Sequence, residues 1–378
     1  MAEKEEGEDI EDLLMKNIYN EKEIEDYTKI KTYKSIDYIS TKNYYKEKFN
    51  KSINKEISFH KKRIYSMDWL NNNSGMTLVT GSSDNFLKIW DLNKTLNSSN
   101  KQNTSSIFPL LTINCHNEII NNISSRNNHE SQFIASTMDK YIKFCDIRFN
   151  TSNNIKTKDE IKHLKFNNSG NQFGYINKEG NTLFLYDFGK LEEIQKFNFK
   201  SPIHDFIFNN SDDKLYITNE DGNIIILNTK LNNSNNKINI QGSLFPLYSV
   251  DIDKRNKSLI VGGNDGILLN YNIDEMMCCK TYKRSDQGIR QCMYSYDDNF
   301  IATIYDRKNI DFFSTELDDH IYTIFTNNNQ HFIKWNKKRN ILAYISDEKK
   351  NDESKNKKME EGKFNLEANV HFFIMPNL

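Results

Sequence analysis

The sequence predicts an all-β protein: a ring of seven four-stranded blades, closed by a strand from the N-terminal side. Three observations predict it. One strand grammar recurs at a near-constant period. Two further apolar strands precede each recurrence. The last repeat is a strand short, while a spare strand stands before the first.

Residues 80–94, TGSSDNFLKIWDLNK, show the grammar: an acidic turn residue, Asp84, then an alternating strand over 86–90 that stops at Asp91. It returns as MDKYIKFCD with Asp139, KEGNTLFLYD with Glu179 and EDGNIIILN with Asp221. NDGILLNYN with Asp265 and YDRKNIDFFS with Asp306 continue it. The intervals between Asp84, Asp139, Glu179, Asp221, Asp265 and Asp306 are 55, 40, 42, 44 and 41 residues. The first is long because Asn93–Ser106, almost all Asn, Ser, Thr, Lys and Gln, is inserted there. A period of about 40–45 residues is that of a four-stranded propeller blade.

A short apolar strand precedes each acid: 76–80, 132–136, 172–176, 214–218, 258–262 and 299–303. Upstream lies an alternating strand, as in IYSMDWL (64–70), EIKHLKF (160–166), IHDFIF (203–208) and IRQCMYS (289–295). Val, Ile, Phe and Tyr dominate these runs, as half-buried strands require. A seventh unit follows as FIKW (332–335), ILAYI (341–345) and VHFFI (370–374). A charged insertion from Asp347 to about Leu366, without apolar pattern, replaces its acidic turn and is expected to be mobile. The fourth strand of that unit is expected from Asn54–Phe59, which would hide both open edges of the ring.

Residues 1–50 form an acidic extension before the propeller of residues 51–378. Ile10, Leu13, Leu14 and Ile18 make a helical stripe on it, so it is either a mostly disordered tail or a helix that orders on a partner.

Composition narrows the function classes. With 51 Lys+Arg against 52 Asp+Glu, no bulk charge directs the chain to nucleic acid or membrane. Asn is over-used, in NNN at 71–73 and 327–329 for instance, and reads as compositional bias settling into turns. Five cysteines without regular spacing, Cys115, Cys145, Cys278, Cys279 and Cys292, argue against a disulfide framework. The opening MAEKEEGEDIED is acidic where a signal peptide would be basic and then apolar, and no apolar run approaches bilayer length. An intracellular protein is expected; the sequons at Asn93, Asn97 and Asn122 are chance. There is no phosphate-cradling glycine loop, GGNDG (262–266) reading as a tight turn, and no regularly spaced His/Cys cluster. No catalytic residue, cofactor, metal or small-molecule substrate is expected.

The period and the IWD at 89–91 resemble the WD40 repeat family, which implies a seven-bladed WD40 β-propeller. In that family a His before the first strand, a Ser/Thr on the second, the turn Asp and a third-strand Trp form one buried hydrogen-bonded chain. The resemblance assigns these places to His60, Thr80, Asp84 and Trp90, a structural tetrad rather than a catalytic set. Blade two keeps His116 and Asp139 but has Cys145 in the Trp place, and later blades keep only the acid.

HKKR (60–63) reads either as a nuclear import signal or as a solvated loop between blades. Loops before the first strand and between the second and third share one face of a propeller. Lys61, Lys62, Arg63, Lys140, Lys178, Arg307 and Lys308 fall there, while blade four contributes Glu220 and Asp221. A lopsided basic face for an acidic partner or RNA backbone is the candidate; ordinary surface charge is the alternative.

The run DEMMCCKTYKRSDQGIRQCMYSYDDNFIAT (274–303) and the last blade, FIKWNKKRNILAYISDE with VHFFIMPN, are similar to the THO complex subunit 3 family. The likeness covers about residues 55–378, and its marks include Ile289-Arg290 and Met375-Pro376. It implies a non-enzymatic nuclear scaffold that couples transcription to mRNA packaging and export. Its partners would be helical THO subunits, with mRNA contact indirect or weak. The alternative rests on Asp146-Ile147-Arg148, which resembles the W-D-x-R signature of WD40 substrate receptors for cullin-based ubiquitin ligases, with Cys145 in place of Trp.

Overall fold

Strands of about six residues, apolar on one face, cannot bury that face alone; stacking them as sheets around an axis does so. The computed structural model of the protein describes residues 38–93, 108–115, 118–149, 151–230, 237–306, 308–326, 328–349 and 366–376. It divides into a unit through Asn50 and a unit from Lys51. The stripe expected at Ile10, Leu13, Leu14 and Ile18 lies outside the described residues, as do His116, Arg307, residues 94–107 and residues 350–365.

The described part of the first unit is a helix over 38–50. Cation–π pairs four residues apart join its turns, with Lys42 over Tyr38 at 5.4 Å and Lys48 over Tyr44 at 4.5 Å.

The second unit is a seven-bladed propeller of four-stranded antiparallel sheets. In each blade the chain runs from an innermost strand outward. The innermost strands are Ile64–Trp69, Ile120–Ser125, Ile161–Phe166, Ile203–Phe208, Leu247–Ile252, Ile289–Tyr294 and Gln330–Trp335. The seventh sheet takes its outermost strand, Ile53–His60, from before blade one, paired antiparallel with Leu366–Ile374 in the register Ile57↔Val370. The ring is thus closed by backbone hydrogen bonds rather than by side chains alone. The preceding strand, Ile341–Lys349, pairs Asp347 with Ala368 and Lys349 with Leu366, so the ladder reaches three residues into the stretch expected as insertion.

The cores lie between consecutive blades. Ile57 and Phe372 of blade seven join Met67, Trp69 and Trp90 of blade one in one cluster. Ile176 and Leu183 of blade three meet Phe206, Leu215 and Ile217 of blade four in another. All six turn acids lie between second and third strands, at the positions the period predicts. In blades four and five a glycine follows the acid: Gly222 at φ 77° and Gly266 at φ 72°. A Cβ on either would run into a carbonyl of the next loop, Ser243 or Ser285, so these turns need glycine twice over.

Candidate interaction face and central channel

Ring closure places His60, the last residue of the closing strand, at the entrance to blade one. The repeat pattern puts it in a loop; it is a strand residue because the same stretch completes blade seven. The indole Nε1–H of Trp90 can only donate, and it does so to Thr80 Oγ1 at 2.9 Å. Thr80 Oγ1 lies 2.8 Å from His60 Nε2, and His60 Nδ1 lies 2.8 Å from Asp84 Oδ2. One proton order satisfies all four groups: Trp90 to Thr80, Thr80 to a neutral His60, and His60 to the Asp84 carboxylate. Burial lowers the His60 pKa against the pull of Asp84. Burial raises that of Asp84, and bonds from His60 and the Phe86 N–H with the nearby Lys88 charge more than reverse it. The set is buried inside the blade and none of its members lines the axial cavity. In blade two Cys145 is buried where the indole would sit, and Thr137 Oγ1 donates to Asp139 instead.

The loop topology puts Lys61, Lys62, Arg63, Lys140, Lys178 and Lys308 on the face formed by the turns after second and fourth strands. They are not equivalent there. Lys61 and Lys62 are exposed, whereas Arg63 is half-buried over the Tyr65 ring at 5.4 Å. Lys178 is paired with Glu160 at 2.6 Å, and Lys140 Nζ donates to the Lys158 carbonyl at 3.2 Å. On blades four to six the same face carries Glu220, Asp221, Asp286 and Asp306, all four reaching solvent.

Two features of the axis escape a reading by composition. First, neighbouring inner strands share no backbone ladder, and polar side chains link them. The Ile123 and Ser125 N–H groups donate to Ser66 and Asp68 at 2.9 and 2.7 Å. The Phe166, Val250, Cys292, Tyr294 and Ile333 N–H groups donate to Ser124, Asp205, Ser249, Asp251 and Gln291 of the preceding blade. Ion pairs Lys165–Asp205 at 2.7 Å and Lys334–Asp68 at 3.5 Å, with the Trp69 indole donating to the Lys334 carbonyl, serve the remaining junctions. The signal for these was legible as polar residues at the third or fifth place of otherwise apolar strands.

Second, the asparagines are not mere bias. Asn71, Asn127, Asn168 and Asn210 each stand two residues past an inner strand and reach to the next blade. Asn71 donates to the Asn127 carbonyl, Asn127 to Asn168 Oδ1, Asn168 to the Asn209 carbonyl and Asn210 to the Lys254 carbonyl. Lys337, at the same place in blade seven, donates to Asn127 Oδ1 at 2.7 Å. A carboxamide both donates and accepts without charge, which suits a collar of this kind. Between collar and opposite mouth the inner strands wall an axial cavity of about 580 Å³. Among the described residues no group of three His, Cys, Asp or Glu could hold a metal ion.

Comparison with known proteins agrees with this architecture. A model of the NUP159/214 beta propeller matches residues 133–344, more than half of the chain, and one of the WD domain, G-beta repeat, matches residues 51–91. The chain belongs to the NUP159/214 beta-propeller family and is a WD40-repeat protein. It is similar to THO complex subunit 3 of Arabidopsis thaliana, 21% identical over 306 residues that cover 78% of this chain and 90% of that protein. It is also similar to WD repeat-containing protein AAC3 of Dictyostelium discoideum, 24% identical over 263 residues, 66% of this chain and 54% of that longer protein. The first likeness agrees with the one read from residues 274–303 and the last blade.

Proposed function

We propose that the protein is a non-enzymatic scaffold of THO complex subunit 3 type, acting in the nucleus to couple transcription to mRNA packaging and export. The observation that carries this reading is the extent of the likeness to the Arabidopsis subunit, 90% of that protein's length. The geometry supports a binding role: the Ser/Thr, His and Asp side chains that could mimic a catalytic list are buried as one hydrogen-bonded chain inside blade one. Helical THO subunits are the proposed partners, and the cationic arc of Lys61, Lys62 and Arg63 is the proposed contact for an acidic surface on one of them.

Affinity purification of the tagged full-length chain from nuclear extract tests this. Recovery of THO subunits is the expected result. Recovery of a cullin adaptor would favour the ubiquitin-ligase reading, and recovery of neither overturns both. The structure gives the ligase reading little support, because Arg148 is turned back onto Asp146, with guanidinium–carboxylate distances of 3.0 and 2.8 Å.

A further inference from the structure

Three of the five cysteines, Cys115, Cys145 and Cys292, are buried, whereas Cys278 and Cys279 are exposed and adjacent on the outermost strand of blade five, Met277–Lys283. Adjacent residues of a regular strand point to opposite faces. Here the register steps from Asn270↔Lys280 to Tyr271↔Cys278, so Cys278 and Cys279 together oppose Tyr271. A bulge of this kind breaks the alternation and brings both thiols to the Tyr271 side. The outer strands of blades three and six are bulged at the same place, with Glu193-Ile194 opposite Tyr186 and His320-Ile321 opposite Phe313. The bulge belongs to the fold, and the sulfur pair is what this chain adds to blade five.

The two thiols act on each other. Cys278 Sγ donates to the Lys280 carbonyl at 3.5 Å and Cys279 Sγ to the Met277 carbonyl at 3.6 Å, so each thiol reaches across the other's residue. Burial raises the Cys278 pKa, backbone bonds at Lys280 and Asn270 offset part of that, and charge on Cys279 raises it again. The strand is pinned on both sides of the pair. Met276 enters it at φ 50° and packs on the core between blades four and five, while Lys280 Nζ lies 2.5 Å from Asp318 Oδ1 of blade six. The three buried thiols are inert by contrast, since burial pushes Cys145 up to about 12 and raises Cys115 and Cys292 as well. With no third His, Cys, Asp or Glu grouped with them among the described residues, Cys278 and Cys279 do not complete a tetrahedral metal site.

We propose that Cys278 and Cys279 form a reversible oxidation site, a vicinal dithiol that a peroxide closes to a disulfide and glutathione reopens. The Cys279 thiolate attacks one oxygen of the peroxide; the O–O bond breaks, leaving a sulfenic acid and hydroxide. Hydroxide takes the Cys278 proton, the Cys278 sulfur attacks the sulfenyl sulfur, and the S–O bond breaks as the S–S bond forms. In sum, two thiols and hydrogen peroxide give one disulfide and two waters, the sulfurs losing two electrons to the peroxide. Cα atoms joined by a trans peptide are about 3.8 Å apart, closer than the roughly 4.4–6.8 Å that disulfides usually span. The closed ring is therefore strained and easily reduced, which suits a transient modification rather than a structural bridge. The site does not depend on which assembly the propeller joins.

The test treats the reduced full-length chain with hydrogen peroxide, blocks free thiols with iodoacetamide and weighs the tryptic peptide 258–280, which holds no other cysteine. The expected product is lighter than the dithiol by two hydrogens, carries no alkyl group on sulfur, and regains both thiols in glutathione. Cys278→Ser and Cys279→Ser each remove the thiol that resolves the sulfenic acid. The remaining sulfur of either variant should then reach sulfinic acid at least about tenfold faster than the native pair. Both changes fall on exposed side chains, and thermal melts verify that the variants are folded. Sulfinic acid forming as fast on the native pair as on the single variants overturns the proposal. So does a disulfide-linked dimer as the main product, or oxidation of Cys115, Cys145 or Cys292 ahead of the pair. None of these results bears on the recovery of THO subunits, so the two readings fail separately.

Discussion

His60 is buried, Asp251 is half-buried on the wall of the axial cavity, and the two respond to pH with opposite signs. His60 is held neutral, its folded pKa below the ordinary histidine value because of burial. Its contribution to stability is present above the unfolded pKa and is lost as pH falls through the depressed folded value. Asp84→Ala leaves the buried Nδ1–H of His60 without its acceptor, at a cost of about 1–3 kcal/mol, read from denaturant unfolding at neutral pH. Asp251 is the reverse case: burial pushes its carboxyl from 3.8 up to about 6, with the Tyr294 N–H and Lys165 offsetting only part. Its folded value is raised, so its favourable contribution is complete below the unfolded pKa and is lost as pH rises through about 6. Asp251→Asn is therefore expected to stabilise the protein by up to about 3 kcal/mol at about pH 7.5, with little change at about pH 4. Melting curves at the two pH values check this, and a destabilised variant at the higher pH would contradict a desolvated Asp251 carboxylate.

At the level of elements, the closing strand has more to do than any other. Ile53–His60 covers the edge of Leu366–Ile374, adds Ile57 to the core of blades seven and one, and delivers His60 to the tetrad. Removing residues 51–60 exposes the edge of a nine-residue strand and deletes one tetrad member. The shortened chain is expected to aggregate, and a synthetic peptide spanning residues 51–61, added during refolding, is expected to restore a soluble monomer by size-exclusion chromatography. The inner strands contribute differently: they touch their neighbours through side chains such as Ser66, Asp68 and Ser249. Asp68→Ala removes the acceptor of the Ser125 N–H and the counter-ion of Lys334 together. Its expected cost is about 3–5 kcal/mol, well above that of Asp84→Ala, by the same unfolding measurement.

Across the whole propeller, the face formed by the turns after second and fourth strands is cationic at the entrance to blade one and of mixed sign on blades four to six. Lys61, Lys62 and Arg63 stand at the entrance to blade one, and Glu220, Asp221, Asp286 and Asp306 are interspersed with Lys283, Arg284, Arg290 and Lys308 on blades four to six. Reversing Lys61, Lys62 and Arg63 to Glu together is expected to weaken capture of THO subunits and to make the remainder less salt-sensitive, with the circular dichroism spectrum unchanged. Unaltered capture would remove the cationic arc from the interface.

The sequence by itself determined the period, the blade count, the turn positions and the closing strand, because each is a local alternation repeated along the chain. Within one blade, chain neighbours are also spatial neighbours, so the resemblance to the WD40 family could assign Thr80, Asp84 and Trp90 to one hydrogen-bonded set. Tertiary structure alone decided the contacts between blades. Asp68 meets Ser125, Lys337 reaches Asn127 and Trp69 reaches Lys334, residues brought together only when the ring closes. The same closure turned an asparagine bias into a collar, and it set Asp251 between strands whose residues at the same place, Ile207 and Met293, are apolar, while Asp68 and Asp205 received lysines. Periodicity reports which side of a strand is buried; which residues of other blades lie across from it depends on how seven sheets share one axis.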